Sequence, residues 1–177
     1  MRRALDGLYA LGAGLAALAL LGIFLVMMGQ VLLRELGMQF PAADDVTAYL
    51  CVASAFGALA QTFRRGELIR VGLVIERLPP GARRVQELAA LGLAAVIVAY
   101  LVWWTAGDTL FSWEIDDVAQ GTVPIPLWIP KLAMPVGAAI LLVAILDELV
   151  TVLRGGKPGY VVAAEERAAR GDFSAEV

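Results

Sequence analysis

The sequence predicts an all-α membrane protein with four transmembrane helices, and three observations support this fold class. Apolar residues make up 60% of the 177 residues, with a mean hydropathy of +0.76, whereas soluble domains contain about 45–50%. Charged residues make up only 18%. They occur in clusters separated by four long uncharged runs, which is the pattern of a polytopic helical protein.

The composition also excludes several kinds of function. The chain has no His and a single cysteine, Cys51, which excludes zinc sites built from His and Cys and nucleophiles that rely on a His base. The net charge is −3 and the basic residues are dispersed between apolar runs, so nucleic acid is not an expected partner. We therefore predict no catalytic residues, no metal site, no cofactor and no enzymatic activity.

The first three spans are clear uncharged runs. Residues 7–33 give 27 uncharged residues, 46–63 give 18, and 88–107 give 20. A helix rises 1.5 Å per residue, so these runs suit a hydrocarbon core of about 30 Å. Arg2 and Arg3 precede the first run, as in a secretory signal. Its length is nearly twice that of a signal's apolar core, so we interpret it as an uncleaved signal anchor.

The fourth span is less clear because its uncharged run is short. Only 15 residues, 132–146, separate Lys131 from Asp147, which corresponds to about 22 Å of helix. A span over about residues 131–150 therefore requires charged ends at the headgroups. Pro135 is expected to bend or begin this helix.

The distribution of Lys and Arg predicts that both termini lie in the cytoplasm. The termini and the loop between spans two and three carry 12 of the 14 basic residues, and the other two loops carry one each. By the positive-inside rule the basic segments are cytoplasmic. All four Trp residues lie at or beyond the outer ends of spans three and four, as interfacial anchors do. The expected domains are a four-helix membrane domain at residues 1–154 and a cytoplasmic tail at 155–177.

Two loops are expected to lie along the membrane. Residues 64–87 place apolar side chains among regularly spaced Arg and Glu, which predicts an amphipathic interfacial helix between helices 2 and 3. A solvated basic loop is the alternative. The outer segment 108–130 contains Pro124, Pro126 and Pro130, so it cannot be one continuous helix.

The interiors of the spans suggest packing rather than ion transport. Proteins that move ions usually place an ionisable residue inside the bilayer, and no span carries one at its middle. Small residues recur at helical spacing in span two, at Ala53, Ser54, Gly57 and Ala58, and such rows let helices pack closely. The packing partner is either another helix of this chain or a second protein, so the chain is interpreted as a scaffold.

Charged residues at the ends of the spans have two interpretations. Asp44 and Asp45 precede span two, where carboxylates complement a helix N-terminus; docking of a partner is the alternative role. Asp147 and Glu148 lie at the inner end of span four, which is unfavourable for an anion. They are expected to seek a basic partner such as Arg64.

Three segments lie in an order and spacing that match a known family. They are PAADDVTAYL (41–50) before span two, RRGELIRV (64–71) after it, and IPLWIPKLAMPVG (125–137) before span four. Over residues 5–153 the chain resembles the small, DctQ-type membrane subunit of tripartite ATP-independent periplasmic (TRAP) transporters. It departs from that family's usual residues at four positions: Ala42 for Trp, Ala48 for Arg, Leu68 for His and Gly72 for Asp.

The resemblance implies a small scaffold subunit of a secondary transporter in the bacterial inner membrane, which imports organic acids using a sodium gradient. The implied partners are a large, DctM-type membrane subunit, a periplasmic, DctP-type substrate-binding protein and the lipid bilayer. The expected partner contacts are residues at the matching motif positions: Asp44, Asp45, Tyr49, Arg64, Arg65, Gly66, Pro126, Trp128, Pro130, Pro135 and Gly137.

The main alternative is a self-contained, homo-oligomeric four-helix transporter or channel. Such proteins typically carry a carboxylate in the middle of the membrane, and the sequence places none there. A membrane-embedded enzyme is a weaker alternative, because no nucleophile and base stand at a plausible spacing.

Overall fold

The computed structural model describes residues 2–66, 79–121, 123–156 and 158–163. Within these ranges the only extended pairing is an isolated bridge between Val118 and Pro126, and residues 159–163 form a short helical segment after the last long helix. The all-α fold class is therefore confirmed. The helices are α1 (Arg2–Glu35), α2 (Ala43–Arg65), α3 (Pro80–Glu114), the single turn α4 (Trp128–Lys131) and α5 (Ala133–Leu153).

Four segments are long and apolar enough to cross a membrane, as the sequence predicted: Leu5–Glu35, Ala43–Arg65, Gly81–Glu114 and Trp128–Leu153. They are longer than the uncharged runs. Helix α3 continues past Gly107 to Glu114, and its 35 residues give about 52 Å of helix. A hydrocarbon core of about 30 Å cannot contain that length, so α3 tilts strongly or projects from the membrane.

Glycines in left-handed backbone conformations end three of the helices, α1 at Gly37, α2 at Gly66 and α5 at Gly155. Gly37 follows α1 with a φ of 71°, and the amide of Met38 bonds back to Leu33 O at 2.9 Å. This bond across the last turn is the Schellman arrangement, which satisfies carbonyls that the helix leaves free. Gly155 ends α5 in the same way, with a φ of 81°.

Four prolines lie at the starts of helices: Pro79, Pro80, Pro130 and Pro135. Pro79 is the N-cap of α3 and Pro80 its first residue. Pro130 lies in α4, and Pro135 is the third residue of α5. Amides in a first turn have no helical carbonyl to bond, so proline costs little there. Pro135 therefore lies in the first turn of the last helix, one of the two roles that the sequence suggested for it.

The four long helices form an open row, in the order α1, α2, α5, α3. Helix α1 packs on α2, α2 on α5, and α5 on α3. Within the described residues α1 touches α5 only slightly and has at most a marginal contact with α3. A closed four-helix bundle would bring those two edge helices together. The open row instead has two broad faces, and α5, which lies inside the row, is the most buried span.

The helices approach most closely at glycines. Where α2 crosses α5, a β-carbon on Gly137 would lie 2.6 Å from Phe56 O and 2.7 Å from Phe56 Cβ. Where α1 crosses α2, a β-carbon on Gly12 would lie 3.0 Å from Gly57 O. Small residues at these crossings let the backbones touch, as in other membrane helix pairs.

We call the end of the row that holds the start of α1 and the end of α5 its base, and the opposite end its top. An apolar cluster at the base joins Leu91 of α3 to Ile145 and Val152 of α5, and it includes Tyr160 from the segment after α5. The ring of Tyr160 lies 5.8 Å from the ring of Phe63, edge to face. The beginning of the predicted tail is thus packed against the helices.

Two predicted features lie outside the described residues. The interfacial helix between helices 2 and 3 was expected over a loop of which residues 67–78 are outside the described ranges. Residues 164–177 of the predicted tail are also outside them. Both features stay predictions from the sequence.

Candidate functional site

Charged side chains from three helices meet at the base of the row. Arg64 forms an ion pair with Asp6, and its guanidinium carbon lies 5.1 Å from the centre of the Tyr9 ring, within the range of a cation–π contact. Tyr9 is 1% exposed, and its hydroxyl has no hydrogen-bond partner in the described part of the chain. We call this group the base cluster: Asp6, Arg64, Arg65, Asp147 and Glu148.

Glu148 is a buried carboxylate, 6% exposed. Its Oε2 accepts a hydrogen bond of 2.7 Å from the backbone amide of Gly159. A buried carboxylate is costly unless it is bonded, so this contact helps to hold the segment after α5 against the base. Asp147 lies beside Arg64 and Arg65 around a cavity at the base. The two carboxylates therefore line the same cavity as basic residues that the sequence suggested, and the bond of 2.7 Å to Glu148 comes from a backbone amide.

The top of the row is organised around Lys131. Its Nζ lies 3.0 Å from Asp108 Oδ2 and 4.0 Å from Asp117 Oδ2. It also donates a hydrogen bond of 2.9 Å to Ser112 Oγ, which in turn donates to Asp117 Oδ2 at 3.0 Å. Ion pairs that are partly exposed are worth at most about 1 kcal/mol each. Together these contacts fix α4 and the preceding loop to the end of α3.

The predicted acidic pair is engaged within the chain. Gln30 Nε2 donates a hydrogen bond of 3.3 Å to Asp44 Oδ1, and the carboxylate of Asp45 lies directly against Gly121. Both carboxylates are in the first turn of α2, near the positive end of its dipole. The pair joins the end of α1 and the loop before α4 to the start of α2.

The other predicted contact residues differ in how far a partner can reach them. Asp44, Arg65 and Pro126 are exposed, whereas Pro135 and Gly137 are buried between helices. Buried residues of this kind can affect a partner only through the packing of this chain. The others are partly buried: Asp45, Tyr49, Arg64, Gly66, Trp128 and Pro130.

Three of the four predicted packing residues of span two, Ser54, Gly57 and Ala58, lie on the side of α2 that meets α1. A β-carbon added to Gly57 would lie 3.1 Å from Gly12 O and 3.3 Å from Ala16 Cβ. Ser54 and Ala58 line a groove between α1 and α2. Ala53 is partly buried.

Several residues of these clusters were not selected from the sequence as site residues, among them Asp6, Tyr9, Ser112 and Lys131. One pattern could have found Asp6, because it and Arg64 end neighbouring antiparallel spans on the same side of the membrane. Ser112 carried no such pattern, since a lone serine near charged residues is usually solvated. Ser112 is only 1% exposed because α3 continues past the predicted span and packs there.

The arrangement as a whole has charges at both ends and an apolar middle. Within the described ranges no group of three or more Cys, Asp or Glu is placed to hold a metal ion. The hydroxyls of Thr105 and Thr109 in α3 bond to carbonyls one turn earlier, at 2.8 and 2.7 Å. These interior polar groups are therefore satisfied within their own helix.

A family model for the DctQ component of tripartite ATP-independent periplasmic transporters matches residues 23–155. The chain belongs to the DctQ family. The match runs from within α1 to the glycine that ends α5, and so covers about three quarters of the chain. DctQ proteins are components of transporters and not enzymes. With its four apolar helices, this DctQ chain is a multi-pass protein of the inner membrane. No curated protein matches its sequence.

Proposed function

We propose that this DctQ chain is the small membrane scaffold of a TRAP transporter that imports organic acids using a sodium gradient. Its partners are a large, DctM-type subunit, which carries the substrate and sodium, and a periplasmic, DctP-type binding protein. The family match over residues 23–155 supports a place in such an assembly. The observation that supports a scaffold role is the open helix row.

An open row suits a subunit that lies beside a larger one. Both edge helices expose large apolar side chains, including Leu15 (66%) on α1 and Val96 (68%) on α3. Near the top, α3 also exposes Trp103 (80%) and Trp104 (66%). In water such faces would be unstable, but in a membrane one face can meet lipid and the other a protein. Each span interior lacks the charged residue that would bind an ion.

The proposed orientation places the base in the cytoplasm and the top in the periplasm. The basic residues support it, because 12 of the 14 lie at the start of α1, after α5, or within residues 64–87, which comprise the loop between α2 and α3 and its flanking helix ends. We extend the proposal to an interfacial helix in that loop, supported by its alternating Arg, Glu and apolar residues. A reporter enzyme that is active only in the periplasm should be inactive when fused after Val177.

The top of the row is the proposed docking surface for the binding protein. Glu114 and Asp116 are exposed there, whereas Asp45 and Asp117 are held by contacts within the chain. Charge reversal at Glu114 and Asp116 should weaken uptake most at low salt, where exposed charges are least screened. The same change should leave co-purification of the large subunit intact.

Co-purification in a mild detergent tests the assembly most simply. The tagged chain should bring down a large, many-helix protein in a fixed ratio. The single cysteine, Cys51, is free and exposed on α2, so a photoreactive maleimide placed there reports what lies against that side of the row. The Cys51→Ser variant is the matched control. Recovery of the chain as a homo-oligomer, without a second membrane protein, would favour the self-contained transporter instead.

A further inference from the structure

Two cavities at the base lie next to each other, and we call them together the track. The first, of about 450 Å³, lies within the base cluster and is lined by Asp147 and Arg64 among others. The second, of about 250 Å³, is a groove between α1 and α2 lined mainly by small residues such as Ala17. Gln61 and Arg65 line both cavities. A polar chamber therefore lies next to a largely apolar groove, with Gln61 and Arg65 at the boundary.

Helical register confirms that the track follows one side of the two helices. On α1, Asp6 in the polar chamber is followed at spacings of seven, four and three residues by Ala13, Ala17 and Leu20 in the groove. Positions with those spacings share one helix face. On α2, Arg65 and Gln61 lead in the same way to Ala58 and Ser54.

The track is as long as one lipid molecule. The 14 helical steps from Asp6 to Leu20 cover about 21 Å, and half of a bilayer is about 15 Å of hydrocarbon plus roughly 6 Å of headgroup. The residues that line the groove end at Leu20 on α1 and at Ser54 on α2. A membrane-spanning helix of a partner needs a groove of about 30 Å. The track is shorter than that, so its length favours a lipid.

The polar chamber offers charges of both signs. The side chain of Asp147 is partly buried and makes no hydrogen bond or ion pair that the described ranges contain. It is therefore an available acceptor for a cation. Arg65, beside it, has an exposed side chain at the junction with the groove, where a phosphate of a lipid in the groove would lie.

We propose that this track binds a phospholipid with a primary ammonium group in its headgroup, of the phosphatidylethanolamine class. The ammonium group pairs with Asp147, the phosphate with Arg65, and one acyl chain fills the groove along Ala13, Ala17 and Ala58. The bound lipid covers one side of the contact between α1 and α2 in the leaflet at the base. This inference does not depend on the identity of the transporter, since it uses contacts of this chain alone.

Native mass spectrometry of the purified membrane complex, with equal amounts of phosphatidylethanolamine and phosphatidylglycerol added, tests the proposal. The wild-type complex should retain phosphatidylethanolamine preferentially. Ala17→Leu fills the groove and should abolish retention of either lipid, whereas Ala99→Leu, at an exposed position on α3, should change nothing. Asp147→Asn should lower retention of phosphatidylethanolamine about tenfold, since a hydrogen bond to a charged group is lost, and spare phosphatidylglycerol.

Two results would overturn the proposal. In the first, the wild-type complex retains the two lipids equally, and the Ala17→Leu complex retains as much of each as the wild type does. Both complexes must elute as intact particles for this comparison. The other is efficient cross-linking of a photoreactive residue at position 58 to the large subunit, which would show that a protein fills the groove. Either result would leave the scaffold role standing, so the two hypotheses fail separately.

Discussion

The close crossing of α2 and α5 makes Gly137→Ala the most informative single change. Glycine is the only residue that fits, because the new methyl group would lie 2.6 Å from Phe56 O and 2.7 Å from the carbonyl carbon and Cβ of the same residue. Two of these atoms are backbone atoms, so no rotation of a side chain can relieve the contact. The two innermost helices of the row must separate to accommodate the methyl group.

The expected magnitude follows from two opposing effects. Forcing an extra methyl group into a packed interface costs about 1–3 kcal/mol, and the backbone contact places this case at the upper end. Alanine is favoured over glycine within a helix by about 0.5–1 kcal/mol. The difference predicts a loss of about 2 kcal/mol in the free energy of unfolding.

Gly14→Ala provides a control with the opposite sign. Gly14 lies within α1 and a β-carbon there has nothing within 4 Å, so only the helix preference of alanine acts. This variant should gain up to about 1 kcal/mol. Reversible unfolding of the full chain in mixed micelles, followed by circular dichroism, measures both changes. If Gly137→Ala were as stable as Gly14→Ala, the reasoning about the α2–α5 crossing would be wrong.

Three further changes test other parts of the fold. Ala42 has a left-handed φ of 62°, so Ala42→Gly should raise the free energy of unfolding by about 1 kcal/mol; an unchanged value would argue against that conformation. Lys131→Met removes the centre of the top cluster and should speed hydrogen exchange of the amides in residues 115–127, with little change at the base. Arg84 donates to Val152 O and Leu153 O at 3.3 and 3.0 Å, so Arg84→Met should speed exchange in residues 154–156 while residues 115–127 stay protected.

The existence of four apolar helices could be predicted from the sequence because charge is excluded from the bilayer. The same rule does not locate the ends of the helices. The run of uncharged residues stops at Asp108, but a charge marks the edge of the membrane and does not end a helix, so α3 continues to Glu114. The prolines were also ambiguous, since Pro79 and Pro80 suit both the end of one element and the start of the next.

The order of the helices could not be predicted, because each span is apolar on most of its circumference and no face is marked as the contact. Gly57 was selected for its spacing, and it lies against α1. The decisive crossing of α2 and α5 involves Gly137 and Phe56, and nothing in the sequence pairs those two positions. Burial of Glu148 likewise depends on Gly159, which the sequence assigned to a tail.

Uptake into liposomes is the direct test of whether this chain supports transport without carrying it out. Vesicles would contain the purified chain alone, the large subunit alone, or both, with the binding protein, a labelled organic acid that it binds and an inward sodium gradient. Uptake is expected only in the vesicles that contain both membrane proteins. Sodium-driven uptake by vesicles that contain this chain as their sole membrane protein would contradict it.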